Sequence, residues 1–205
     1  MTALTRRAPA LAVLLLMMMS GAAQGDDSRG MFSVKSVGTV SCGRYLDARK
    51  QKGEEYLLFA GYLGGYMTAY NQWSSETFDI LPWQTVDTLL GLLANYCSKQ
   101  PDRNYAVAVN ELIKMLAPYR LAVASELLEA RTQQGSIKIY RETLRRVQAR
   151  LAELGHYTGN VDGLFGTQTQ GGLEKFQQAK GLKKTGLPDQ PTLFNLLLVA
   201  RSKEE

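Results

Sequence analysis

At 205 residues, the chain is long enough for two small domains. Its formal charge of +5 is too small a basic excess to argue for a nucleic-acid partner. A single histidine, and two cysteines without CxxC or HExxH spacing, leave too few ligands for a zinc site, so no metal and no cofactor is expected.

The first element is an export-type segment. Arg6 and Arg7 precede an apolar run from Leu11 to Met19, and Gly21, Ala22 and Ala23 supply a small-residue cleavage region, so residues 1–25 are expected to be a signal peptide. The apolar run is far shorter than the ~20 residues a spanning helix needs, and no later stretch is longer or more apolar. The expectation is an exported, periplasmic chain without a membrane span. Residues 26–139 carry 12 basic and 12 acidic side chains, and residues 140–205 carry 10 and 7, which puts the remaining positive excess in the C-terminal part.

Residues 26–41 show little periodicity and read as a loose lead-in. From Cys42 the pattern turns helical. Tyr56, Phe59, Tyr62, Leu63, Tyr66, Tyr70 and Trp73 recur at spacings of three and four, which puts them on one helix face, read as core rather than as a sugar-stacking platform. Gly61, Gly64 and Gly65 weaken an isolated helix by ~1 kcal/mol each, which predicts the close approach of a neighbouring helix. Pro82 is expected to open the next helix, with Val86, Leu89, Leu90, Leu93 and Cys97 on its buried side. A further helix is expected over residues 103–116 after a break at Pro101 and Asp102. Pro118 ends or kinks it, and residues 119–130 are read as its continuation.

Cys42 and Cys97 are an even pair in a chain read as exported, which predicts a disulfide; closing such a loop contributes roughly 4 kcal/mol in the chain-entropy account. The Cys42-x-x-Tyr45-Leu46, Phe59-Ala-Gly61-Tyr62 and Tyr96-Cys97 pattern resembles small exported helical proteins, the HdeA acid-stress chaperones and the Tai-type immunity proteins. That resemblance implies a helical domain over residues 26–131 that meets a protein partner or client.

Residues 132–139, polar and containing Gly135, are expected to link this domain to a second one over residues 140–200. There, Leu144, Val147, Leu151 and Leu154 form an apolar stripe with Gln148 beside it, stopped by Gly155. A turn-rich loop follows, Gly159-Asn-Val161-Asp162-Gly163-Leu-Phe165-Gly166. Thr167 or Thr169 is expected to cap a second helix carrying Leu173, Phe176 and Ala179, and Thr192 to begin a third. Together with Thr185-Gly186, this string resembles the three-helix bacterial peptidoglycan-binding domain over residues 141–198. The resemblance implies an all-α, two-domain protein whose partner is peptidoglycan. By position it assigns ligand contact to Asp162, Gly163, Phe165, Gly166 and Thr169, with Tyr157 and Gln177 as further candidates. Gly172, preceding Leu173, stands where that family usually has alanine, which predicts a looser second helix.

Wall-binding modules of this kind often accompany hydrolases. One histidine cannot assemble a zinc amidase site, paired cysteines leave no thiol for transpeptidation, and no G-x-S-x-G or S-x-x-K arrangement occurs. Only the carboxylate pairs Glu54/Glu55 and Glu76/Asp79 offer hydrolase chemistry. The expectation is therefore that the chain is not an enzyme, with no catalytic residues. It is read as a protein that binds peptidoglycan and positions a partner-binding helical domain beside it. An immunity or chaperone role, and hydrolysis, are the other readings.

Overall fold

The computed structural model describes residues 27, 29 and 31–199; the expected export segment over residues 1–25 lies outside them. Residues from Ser33 onward make one compact unit. In the stretch before it, the Asp27 carboxylate accepts from the amides of Arg29 and Met31, both at 2.9 Å.

Four helices form the first half: α1 (Cys42–Gln51), α2 (Glu54–Trp73), α3 (Val86–Lys99) and α4 (Tyr105–Leu116). Local chemistry sets their ends. Ser41 caps α1 by accepting from the Arg44 amide at 3.3 Å, and Thr85 caps α3 by accepting from Thr88 at 3.2 Å. Thr85, not Pro82, therefore marks the start of α3, and Pro82 lies buried in the preceding loop. Pro118, in a single 3-10 turn (Ala117–Tyr119), stops α4.

The core of this half centres on three fully buried rings. Tyr45, Phe59 and Tyr105 lie with centroids 4.8–5.2 Å apart, and the Tyr45 hydroxyl donates to the Leu90 carbonyl at 2.6 Å. Cys42 and Cys97 are disulfide-bonded and fully buried, joining the start of α1 to the last turn of α3.

The α2 stripe departs from expectation at its far end. Phe59, Leu63 and Met67 are buried, and Tyr56, Tyr62, Tyr66 and Tyr70 flank them half-buried, but Trp73 is 75% exposed because the last turn runs past the core. No helix closes on Gly61, Gly64 or Gly65: a Cβ placed on any of them meets nothing within 4 Å.

Residues 119–130 do not continue α4. Leu127–Thr132 and Gly135–Tyr140 form an antiparallel hairpin, β1 and β2, with Leu128 opposite Ile139 and Ala130 opposite Ile137. The stretch expected to be a linker is the turn and second strand of this hairpin, with Gly135 at φ +133°. Ala130 and Ile139 are buried in the second core, with Ile137 packed beside them. The molecule is thus mostly helical with one small two-stranded sheet.

The second half contains α5 (Arg141–Glu153), α6 (Thr167–Ala179) and a short α7 (Gln190–Leu193) that runs directly into a π-helical stretch, Phe194–Val199. Its core holds Leu144, Val147, Leu151, Leu173, Phe176, Leu193 and Leu196. Gly166 precedes α6 without a side-chain cap, so neither threonine caps it; α7 begins at Gln190 rather than at Thr192, and Asp189 caps it, accepting from the Thr192 amide at 3.1 Å. Gly172 stands at a close approach: a Cβ there would lie 3.1 Å from the His156 carbonyl.

Several contacts tie the halves together. Gln190 Oε1 accepts from the Thr85 amide (3.2 Å) and the Thr88 hydroxyl (2.9 Å), and its Nε2 donates to the Trp83 carbonyl. Arg146 donates to the carbonyls of Tyr119 (2.6 Å) and Arg120 (3.0 Å). Leu198 packs against both cores.

Candidate functional site

Two buried glutamines, Gln148 on α5 and Gln177 on α6, organise the second half. Each is fully buried in an otherwise apolar stripe, so every polar atom of its amide needs a partner. Gln148 Nε2 donates to Asp162 Oδ1 (3.0 Å), the Leu164 carbonyl (2.9 Å) and Thr169 Oγ1 (3.1 Å), and its Oε1 accepts from the Gly163 amide at 2.7 Å. Gln177 repeats the arrangement. Its Nε2 meets Thr185 Oγ1 (3.0 Å), the Leu187 carbonyl (2.9 Å) and Thr192 Oγ1 (2.9 Å), while its Oε1 accepts from the amides of Thr185 and Gly186. In both nodes a helix glutamine pins a turn glycine and the threonine that follows.

The first node shapes an open groove of about 260 Å³, lined by Tyr157, Asn160, Asp162, Leu164, Phe165, Gly166, Thr167, Gln168 and Thr169. Of the candidates from sequence, Asp162, Phe165, Gly166, Thr169 and Tyr157 come together here. Gly163 lies buried behind them. It has φ +74°, and a Cβ would sit 2.6 Å from the Arg141 carbonyl, so no other residue fits without backbone movement. Gln177 is not part of the groove; it holds the second turn. Asn160, Leu164, Thr167 and Gln168 complete the lining and were not anticipated. The signal that points to the groove's scaffold is Gln148, a polar residue inside an apolar stripe.

Asp162 is held in place rather than free. Its Oδ1 accepts from the Leu164 amide at 2.9 Å as well as from Gln148, and these hydrogen bonds hold its carboxyl below the ordinary aspartate value. The Tyr157 hydroxyl donates to the Asn160 carbonyl at 2.7 Å and sets the groove's other edge. Leu164, 48% exposed, and Phe165 add apolar surface between the polar edges. Such a surface suits a hydroxyl- and amide-rich chain bound by hydrogen bonds and shallow apolar contact.

Residues 140–194 match the family model of the putative peptidoglycan binding domain. Two curated proteins are similar to parts of the chain. The chain is 41% identical over 87 residues to the N-acetylmuramoyl-L-alanine amidase CwlM of Mycobacterium tuberculosis, covering 41% of this chain and 21% of the relative. It is 37% identical over 73 residues to the spore cortex-lytic enzyme of Oceanobacillus iheyensis, covering 36% and 25%. The chain thus spans a quarter or less of the length of these relatives. Among solved structures it is similar to SltB3 from Pseudomonas aeruginosa, in complex with NAG-anhNAM-pentapeptide, at 24% identity, a TM-score of 0.28, and 51% and 26% coverage.

These relatives correct one expectation. A single histidine, paired cysteines and missing nucleophile motifs predict that the chain is not an enzyme, yet both curated relatives are named as enzymes, an amidase and a cortex-lytic enzyme. A stretch shared with two proteins named as enzymes means that a lone histidine and missing motifs do not rule catalysis out. Two of the carboxylates singled out in sequence have partners. Glu55 is engaged with Arg44 at 2.7 Å, and Asp79 Oδ1 accepts from the Leu81 amide at 2.9 Å.

Proposed function

We propose that the chain is an exported, wall-located protein that binds peptidoglycan through the groove around Asp162 and holds its helical half, α1 to α4, against the wall. The family match over residues 140–194 carries this reading. The convergence of Asp162, Phe165, Gly166, Thr169 and Tyr157 on one polar-edged groove supports it. The helical domain, which resembles the HdeA and Tai types, is the part that meets a protein partner in this reading.

Retention of the full chain on purified sacculi tests it. Wild type is expected to sediment with sacculi, and Phe165→Ala with Gln168→Ala to weaken retention while leaving the fold intact by circular dichroism. A chain that stays in the supernatant would remove the proposal. A second reading, hydrolysis of peptidoglycan by the chain itself, is favoured by the enzyme names of both relatives. Release of soluble fragments from dye-labelled sacculi decides it.

A further inference from the structure

The second glutamine node, like the first, shapes a turn with a groove in front of it. Gln177 holds the amides of Thr185 and Gly186, and the groove beside this turn measures about 520 Å³, within the roughly 300–1,000 Å³ of small-ligand sites. The turn supplies Lys184 and Thr185, α6 supplies Gln170 and Glu174, and the tip of the β1–β2 hairpin supplies Gln133 and Gln134. The hairpin is pinned in place, because Thr132 Oγ1 donates to the Thr185 carbonyl at 3.1 Å. Gln170 lies directly over the turn: a Cβ on Gly186 would sit 2.7 Å from its Cγ. Residues 132–134 fall outside the matched stretch 140–194, so this groove is built jointly by the peptidoglycan-binding domain and by chain the family model does not include.

Every lining side chain is polar. The two charged ones offset each other: Lys184 Nζ lies 3.2 Å from Glu174 Oε2, and Gln170 Nε2 donates to Glu174 Oε1 at 3.0 Å. Flanking them in sequence, Arg131 pairs with Glu129 at 2.6 Å, Lys175 and Lys183 are exposed, and the Asp189 carboxylate accepts from the Thr185 hydroxyl at 2.6 Å. The lining itself therefore holds no unmatched cation for a carboxylate, and no apolar wall for an apolar side chain. What it offers is amides. Gln133 and Gln134 are exposed, and neither their side chains nor Oε1 of Gln170 makes a hydrogen bond among the described residues. Each such amide both donates and accepts, as sugar hydroxyl and acetamido groups do.

We propose that this groove is a second saccharide site, which takes an uncharged, acetamido-bearing glycan strand through the side-chain amides of Gln133, Gln134 and Gln170. That the strand is the wall's own glycan rests on the peptidoglycan reading; the class of ligand rests on the lining. The hairpin then has two tasks, since the residues that join the halves also supply one wall of the groove. A preorganised wall loses little freedom on binding, which favours weak, repeated contacts along a polymer.

Amide NMR of the full chain, titrated with the N-acetylglucosamine tetramer, tests this. Saturable shifts are expected at the side-chain amides of Gln133, Gln134 and Gln170. The glucose tetramer of the same linkage, equal in charge but without acetamido groups, is expected to bind at least about tenfold more weakly. Gln133→Ala with Gln134→Ala is expected to keep Tm, since both side chains are exposed and unbonded, and to weaken binding of the acetylated tetramer about tenfold. A wall stem tetrapeptide is expected to leave these amides unmoved. Silent amides, equal binding of the two tetramers, unchanged affinity in the double variant, or a stronger response to the peptide would each overturn the proposal. Sacculus retention is read separately. A chain that sediments with sacculi while its hairpin amides stay silent loses the second site and keeps the Asp162 groove; shifted hairpin amides in a chain that stays in the supernatant sink the wall reading and keep the saccharide site.

Discussion

Gln148 shows how much one side chain can determine. Its fully buried amide satisfies an aspartate, a carbonyl, a threonine and a turn amide at once. Gln148→Ala should therefore cost about 2–4 kcal/mol in urea denaturation, more than one neutral hydrogen bond, because it strands several buried partners. A loss under ~1 kcal/mol would mean the turn holds itself. The Asp162 carboxylate belongs to the same node and its pKa is depressed by the Leu164 amide and by Gln148. A depressed carboxylate stabilises the fold above its unfolded pKa, and that contribution is lost as pH falls through the folded value. The groove is thus expected to keep its shape at neutral pH and to loosen below about pH 4. Carboxyl NMR should place the Asp162 midpoint below the ordinary 3.8; an ordinary midpoint would show that the bonds are not kept in solution.

Among the elements, the disulfide and the hairpin make a useful contrast. The Cys42–Cys97 bond ties α1 to α3 across a separation of 55 residues, within a core already closed by Tyr45, Phe59 and Tyr105. Cys42→Ala with Cys97→Ala is expected to cost about 2–5 kcal/mol, lowering the denaturation midpoint without changing the helical circular dichroism. This bond is legible in sequence because an even cysteine count is a global property that needs no local pattern. The helices of the second half were legible because α5 and α6 carry their apolar residues at helical period. The hairpin was not: Leu127, Leu128, Glu129 and Ala130 favour a helix locally, and only their pairing with Ile137 and Ile139 makes them a strand. The alternation from Ser136 to Ile139 carried the missed signal. At the site, the sequence pointed to five of the groove's lining residues but also to Gln177, because the two glutamine nodes look alike until the chain is folded.

The whole molecule behaves as one piece from Ser33 onward. Gln190 joins α7 to the segment from Trp83 to Thr88, and Arg146 joins α5 to the chain after α4. Thermal unfolding is therefore expected to be a single transition, coincident by tryptophan fluorescence and circular dichroism. Gln190→Ala should lower stability by about 1–3 kcal/mol, since it leaves backbone groups of the other half unpaired. Two separate transitions in the wild type would show that the halves are independent. These bonds also decide how the helical half explores its surroundings. A flexible linker of n residues lets its cargo roam over roughly 5–6 Å × √n; here the hairpin takes up the residues that could have served as one, and Gln190 and Arg146 brace the junction. Whatever the second half grips, the first half meets at one angle and one distance. The arrangement is a bracket rather than a leash, so a partner must diffuse to the helical half instead of being searched for by it.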